Sequence, residues 1–507
     1  MTDPPDHRSF RRTVIFTVAG TVAPGLGLIA ARRRIIGGVI LGLFVTGLVS
    51  LAIWAVTDPA GVASVAVRPA ALTTLSAVLI VVALIWVVVV VVSHLSLRGR
   101  TTRSQRVLGG ALVGLLAFAV AAPMAVAARY SYDQASLVDG VFKSETQTKS
   151  ATRPNLEVNP RQPNGLPQPD PWETKPRLNI LLLGGDAGRG RVGTRTDTII
   201  LASIDTKTGN TTLFSLPRNT ARMPFPKNTP LNRYYPNGYY DGDSQDAEYF
   251  LNSMYENVPS NVPKDILGPT DNLGADALKL SVGEALGLKV DYYVLINLRG
   301  FQTLVDALGG ITVNVNSYVP IGGVSEENRN VPPSEYIEPG PNQKLDGRKA
   351  LWFARGRYGS DDFARMGRQR CVINAIIEQA NPANMLARYE RIAKAGKQIV
   401  ITDIPQEVLP LLVNLSLRVQ KGQTRSVLFQ QGVANFRSFD PDFPAMRKLV
   451  RQALKDTREA NAPPEPSPSP SKSSKKKSPS PANPKSDGLD DTCAFDPVAA
   501  RNATRPN

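Results

Sequence analysis

The sequence predicts an α/β sandwich preceded by N-terminal transmembrane helices, and three observations carry that expectation. Between residues 176 and 460, short apolar strand-like runs interleave with helix-like segments, the pattern of a sheet covered by helices. The first quarter of the chain holds three apolar runs of roughly 20 residues, each enough to cross a hydrocarbon core about 30 Å thick. Beyond residue 460 the composition turns to Pro, Ser and Lys, which reads as a disordered tail over 461–507.

The membrane region spans residues 1–128, with runs at Ile35–Val56, Leu72–Val92 and Val107–Ala128. An earlier apolar stretch, Thr13–Ala30, is broken by Gly20, Pro24, Gly25 and Gly27 and stays open between a re-entrant segment and a fourth span. Arg32, Arg33 and Arg34 precede the first run, and Arg98, Arg100, Arg103 and Arg106 precede the last, while the intervening loop 57–71 carries only Arg68. Arginine clusters mark the cytoplasmic side, so the chain beyond Ala128 is expected outside the cell, as part of a multi-pass cell-membrane protein. A cleaved signal peptide does not fit a repeated apolar region of this length. Residues 129–175 turn polar and Pro-rich and read as a juxtamembrane helix and linker.

Within the 507-residue chain the net charge is +16, and its only histidines are His7 and His94, both in the membrane region. The external part therefore holds no Ser-His-Asp triad, no Cys-His pair and no His-ligated zinc, so acid–base chemistry there must use carboxylates. A basic domain outside the membrane lies away from DNA, and no nucleic-acid partner is expected. Cys371 and Cys493 match no metal spacing; a disulfide between them and a buried free Cys371 are both open.

The external domain, 176–460, reads as strands at 177–184, 197–205, 211–215, 292–297 and 311–315. Helices are expected at 281–286, 301–308, 406–420 and 444–455, and the Asn-, Asp-, Gly- and Tyr-rich stretch 236–275 reads as a surface insertion.

One stretch organises the domain: GRKALWFARGRYGSDDFARMGRQRCVINAIIE, Gly347–Glu378. Arg355 and Arg357 lie two apart, which in an extended segment points both to one side. Asp361 or Asp362 can cap the following helix, and Asp362, Arg365 and Gln369 then share one face of it. Apolar Val372, Ile373, Ile376 and Ile377 would seat that helix on a core. Converging guanidinium groups repel unless an anion lies between them, and their planar forks suit phosphate oxygens. The competing reading is a surface helix whose Asp361 and Asp362 simply pair the arginines.

Between the first two strands, GGDAGRGRVGTRTDT places Asp186 and Asp197 at strand ends that can lie side by side. Two such carboxylates can share an octahedral Mg²⁺ with water and phosphate oxygens, or can cap a Gly-rich hairpin. No GK[ST] follows, and a strand rather than a helix comes next, which excludes a Walker A or Rossmann loop. Arg218, in SLPRNT, leaves the third strand at the same end of the sheet.

The set GGD…RTDT, SLPRN, FQTLVDALGGITVNV, LDGRKALWFARGR and DFARMGRQR resembles, in order and spacing, the LytR-CpsA-Psr (LCP) family of cell-wall glycopolymer ligases, of actinobacterial type. The resemblance covers about residues 179–401 and implies an α-β-α sandwich with a central mixed sheet. It implies that Asp186 and Asp197 bind the metal, Mg²⁺ or Mn²⁺, and that Arg195, Arg218, Arg355, Arg357 and Arg365, with Gln369, bind pyrophosphate. Asn219 departs from the family, where many members carry Asp. The implied partners are the membrane, a polyprenyl-pyrophosphate-linked glycan and peptidoglycan, whose hydroxyl displaces polyprenyl phosphate to leave a phosphodiester. Arg218, Asp197 and Asp362 are the expected catalytic residues, with Asp197 or Asp362 as base. The alternatives are a hydrolase using water at the same site and a non-enzymatic membrane regulator or attenuator.

Overall fold

A computed structural model of the chain describes residues 7–99, 102–156, 170, 172–186, 194–243, 245–326, 329–379, 400–459, 487–488 and 493–506. It divides into two compact units, Met1–Asp139 and Gly140–Asn507.

The first unit is helical: α1 (His7–Val22), α2 (Leu26–Ala30), α3 (Arg34–Thr57), α4 (Pro59–Val65), α5 (Pro69–Leu97) and α6 (Arg103–Val141). α3, α5 and α6 are long and apolar enough to cross a membrane, which fits membrane anchoring of the chain. Many large apolar side chains of α3 stay exposed, as lipid-facing ones do: Ile35 is 84% and Leu43 71% exposed. The broken stretch 13–30 folds as α1 and α2, separated at Gly25, whose φ of 104° favours glycine. α6 runs on to Val141 and supplies the juxtamembrane helix expected ahead of the linker.

In the second unit the central strands read as near-continuous apolar runs, as a sheet buried on both faces requires. Its strands are β1 (Arg177–Gly185), β2 (Thr196–Asp205), β3 (Thr211–Leu216), β4 (Tyr292–Asn297), β5 (Ile311–Val315), β6 (Val319–Glu326), β7 (Arg329–Ile337), β8 (Gly340–Leu345), β9 (Val400–Thr402), β10 (Thr424–Leu428) and β11 (Asp487–Gly488). The main sheet has the order β11-β10-β3-β2-β1-β4-β9. It is mixed: β1 pairs antiparallel with β2 and parallel with β4, and β3 pairs parallel with β10. β5–β8 and β6–β7 form two small antiparallel ladders beside it.

Helices of this unit are α7 (Pro230–Tyr234), α8 (Met254–Asn261), α9 (Leu273–Leu286), α10 (Leu298–Ala307), α11 (Gly347–Arg355), α12 (Asp362–Gln379), α13 (Leu409–Val419), α14 (Phe443–Glu459) and α15 (Pro497–Asn502). Leu181, Leu183, Ile199 and Phe214 face one way and pack with Ala285 of α9 and Val450 of α14. Leu182, Ile200 and Leu213 face the other way and pack with Ile373 of α12. Helices therefore cover both faces of one mixed sheet, an α-β-α sandwich.

Two segments expected as spacers belong to the fold instead. In the linker, Ser150 Oγ and Ala151 N donate to the buried carboxylate of Asp276, at 2.7 and 2.9 Å. Asp276 lies beside Lys279, itself paired with Asp403 at 2.5 Å, so this strap caps a buried charge network. At the other end, residues 493–506 depart from the expected disordered tail. Cys493 is disulfide-bonded to Cys371 of α12, Asn314 Nδ2 donates to its carbonyl at 3.0 Å, and Tyr336 Oη donates to Pro506 O at 2.8 Å. The tract 460–486 lies outside the described residues.

The disulfide closes a sequence separation of 122 residues, so removing it frees much unfolded-state entropy. The Cys371→Ser, Cys493→Ser double variant is expected to lose about 2–4 kcal/mol of stability, read from the denaturant midpoint of the detergent-solubilised protein. An unchanged midpoint would mean that the hydrogen bonds of 493–506 hold this end without the covalent link.

Candidate active site

The arginine stretch folds as helix, turn, helix. The expected extended segment at Arg355 is instead the last residue of α11, because Asp346 caps that helix by accepting from Lys349 N at 2.7 Å and its apolar residues fall on one face. Gly347 is needed at its start: a Cβ there would sit 2.2 Å from Gln302 O of α10. Gly356 to Asp361 make the turn, and Asp361 caps α12 by accepting from Ala364 N at 2.7 Å.

α12 then pins the end of α11. Arg368 Nε donates to Phe353 O at 2.7 Å, its Nη2 donates to Gly356 O, and Gln369 Nε2 donates to Ala354 O at 3.2 Å. These side chains satisfy carbonyls that a helix end leaves open. Arg368 thus has a positioning job; burial pushes its guanidinium down to about 10, still charged at neutral pH.

At the strand ends, one carboxylate gathers three arginines. Asp362 Oδ1 lies 2.9 Å from Arg365, 3.7 Å from Arg357 and 3.8 Å from Arg218. Arg218 also donates to Asp197 Oδ1 at 2.8 Å, and Arg365 Nη2 donates to Asp197 O at 3.3 Å. Burial alone would raise the Asp197 carboxyl, but Arg218, Arg365 and the Asn252 amide hold it below its ordinary range. Burial pulls Arg365 down to about 10, against the opposing pull of Asp362. Its Nε is buried with no hydrogen-bond partner among the described residues, a donor that costs free energy until an acceptor reaches it.

These groups border a cavity of about 220 Å³. Asp186, Asp197, Arg355, Arg357, Arg365 and Gln369 line its polar part. The rest is apolar, walled by Leu182 of β1, Val294 of β4, Phe301 and Leu304 of α10, and Ile373 and Ile376 of α12. The two expected metal ligands therefore share one cavity. Asp186 Oδ1 accepts from Arg195 N at 3.0 Å, and among the described residues no group of three His, Cys, Asp or Glu assembles a metal cage. Asn252 Oδ1, next to Asp197, is buried without a partner among the described residues. Two carboxylates and a neutral oxygen suit a hard cation that keeps water and substrate oxygens in its shell.

Arg195 stands apart from the other arginines. Its guanidinium is drawn to Glu248 and does not line the cavity. Arg218 touches the site through Asp197 and Asp362, and Arg355 stacks over the Trp352 ring at 4.8 Å. The Gly-rich loop 187–193 lies outside the described residues. Asn252 was not foreseen: it lies in the polar stretch 236–275, where nothing local separates it from its neighbours.

The second unit is an α-β-α sandwich that holds clustered arginines at one part of an otherwise apolar cavity. The profile of the LytR_cpsA_psr family matches residues 135–436, well over half of the chain, and the chain belongs to that family. The polyisoprenyl-teichoic acid–peptidoglycan teichoic acid transferase TagU of Oceanobacillus iheyensis is 30% identical over 251 residues, covering 48% of this chain and 63% of that protein. Biofilm regulatory protein A of Streptococcus mutans is 29% identical over 247 residues, covering 47% and 53%. The chain thus spans under two thirds of the length of these two relatives. The crystal structure of TagV from B. subtilis is 25% identical, with a TM-score of 0.38 and coverage of 56% of this chain and 98% of that one.

Removing the shared carboxylate takes the ion partner from Arg357 and Arg365 and leaves Arg218 with Asp197 alone. Asp362→Asn is therefore expected to lower stability by about 1–2 kcal/mol. Inorganic pyrophosphate should raise the melting temperature of this variant more than that of the unsubstituted protein. An equal rise in both would count against convergence of these arginines on one anion.

Proposed function

We propose that the chain is a membrane-bound phosphotransferase that moves a glycopolymer from a polyprenyl-pyrophosphate carrier to peptidoglycan. The observation that carries this reading is the cavity itself, apolar along its walls and lined by guanidinium groups at one part, with a buried Arg365 Nε lacking an acceptor. The names of the teichoic acid transferases among its relatives support the glycopolymer and the acceptor. The arginine clusters between the spans and a disulfide, which oxidising compartments favour, support an extracytoplasmic domain.

In this reading the polyprenyl chain lies along Leu182, Val294 and Phe301, and the pyrophosphate oxygens take the forks of Arg218, Arg355, Arg357 and Arg365 with the Gln369 amide. Arg195 joins them by exchanging Glu248 for phosphate. Asp186 and Asp197 would hold Mg²⁺ or Mn²⁺, which supplies neutralisation of phosphate charge when bound. The peptidoglycan hydroxyl oxygen bonds to the phosphorus nearer the sugar, the bond to the bridging oxygen breaks, and polyprenyl phosphate leaves with that electron pair. Phosphate oxygens compete with Asp362 for its three arginines. Once they take those forks, Asp362 is a carboxylate relieved of its partners and accepts the hydroxyl proton. The guanidinium groups offset the charge that builds on the transferring phosphoryl.

Phosphodiester product is measured with the full chain, polyprenyl-pyrophosphate glycan, Mg²⁺ and peptidoglycan. Arg218→Ala and Arg355→Ala are each expected to lower turnover by about 10²–10³-fold, and Asp362→Asn to lower kcat while donor binding persists. Phosphate release that needs no acceptor would favour the hydrolase.

A further inference from the structure

The cavity has an aromatic neighbour that the transfer chemistry above does not use. Residues 250–252 run beside 218–220, with Leu251 N donating to Thr220 O at 2.9 Å and Asn252 N to Arg218 O at 3.0 Å. Phe250 is extended, at φ −86° and ψ 160°. A turn closed by Ser253 N donating to Phe250 O at 3.0 Å follows; Leu251 and Asn252 are buried in it, while Phe250 is half-buried. Asn252 reaches Asp197, and Glu248, two residues before Phe250, reaches Arg195. Phe250 thus lies between Asn252, which bonds to Asp197 of the site, and Glu248, which holds Arg195 beside it.

Phe439 packs on it, ring centroids 5.8 Å apart at an interplanar angle of 34°, and remains 43% exposed. The backbone beside Phe439 is tied to the loop that carries Arg218, since Ala221 N donates to Ser438 O at 2.8 Å. Neither ring lines the apolar cavity. A pyrophosphate held by Arg218 and Arg365, with its lipid along the cavity, must carry its other substituent away from those walls. The negative face of an aromatic ring attracts the flat C–H face of a sugar.

We propose that Phe250 and Phe439 form a stacking platform for the first sugar residues of the donor glycan, outside the lipid cavity and next to Arg218. This rests on the donor reading above.

The test measures binding to the full chain in detergent of two ligands, a polyprenyl-pyrophosphate glycan and the same polyprenyl pyrophosphate without sugar. Phe439→Ala and Phe250→Ala are each expected to weaken the glycan ligand about tenfold and leave the sugar-free one unchanged. Phe439→Tyr, which keeps the ring on the surface, should retain wild-type affinity. Equal weakening of both ligands would overturn the platform and assign the rings to lipid or to folding. Unchanged glycan binding would overturn it as well, whatever the acceptor does. If the unsubstituted protein binds neither ligand, the donor reading falls and the platform with it, whereas binding of both with equal losses removes the platform alone.

Discussion

Three guanidinium groups converge on the single carboxylate of Asp362, and the arrangement of the whole site depends on that contact. Arg218 comes from the loop after β3, Arg357 from the turn after α11, and Arg365 from α12 itself. Like charges about 4 Å apart at a protein surface repel by roughly 4 kcal/mol per pair, so such a cluster holds only with an anion at its centre. Asp362 is that anion here, so the structure shows the arginine helix self-paired. In the proposed function the carboxylate keeps the forks assembled and phosphate oxygens take its place.

α12 joins this polar cluster to the apolar cavity by its length alone. Asp362 and Ile373 are eleven residues apart, which in a helix is a rise of about 16 Å. Its first turns supply Asp362, Arg365 and Gln369, and its later ones supply Val372, Ile373 and Ile376 to the cavity wall. Cys371, between them, is tied to Cys493. One helix thus sets the distance between a charged junction and an apolar tail, and the covalent link keeps that helix from sliding along the sheet.

Much of the fold was legible because strand and membrane signals are local. β4 and β5 coincide with the expected runs 292–297 and 311–315, whose apolar residues are bounded by loops and glycines. α11 escaped because GRKALWFARGR lies between glycines and its arginine spacing imitates a strand, while Asp346, its cap, belongs to the preceding strand's end. The β6–β7 hairpin carries Pro and Gly at positions that weaken any strand signal. Residues 493–506 gave no local cue, since a disulfide and side-chain bonds from Asn314 and Asn316 hold them from far away in sequence. Of the site, Arg218, Arg355, Arg357, Arg365, Asp197 and Asp186 are brought together as the motifs suggest. Arg195 is drawn off by Glu248, a partner 53 residues away that periodicity cannot reveal.

The arginines differ in how far they can move, and that difference gives recognition an order. Arg365 is 3% exposed and bonded to Asp197 O, so it forms a fixed floor. Arg357 is 45% exposed and held only at 3.7 Å, so it is free to turn with little loss of packing. Its backbone, however, follows an α11 end that Arg368 and Gln369 fasten from α12. A rigid base carrying a mobile fork spends little entropy on the groups already in place and orders only the rim when the anion arrives. In the proposed function, substitutions at Arg368 would act on phosphate binding without any contact to phosphate, by loosening the turn from which Arg357 reaches.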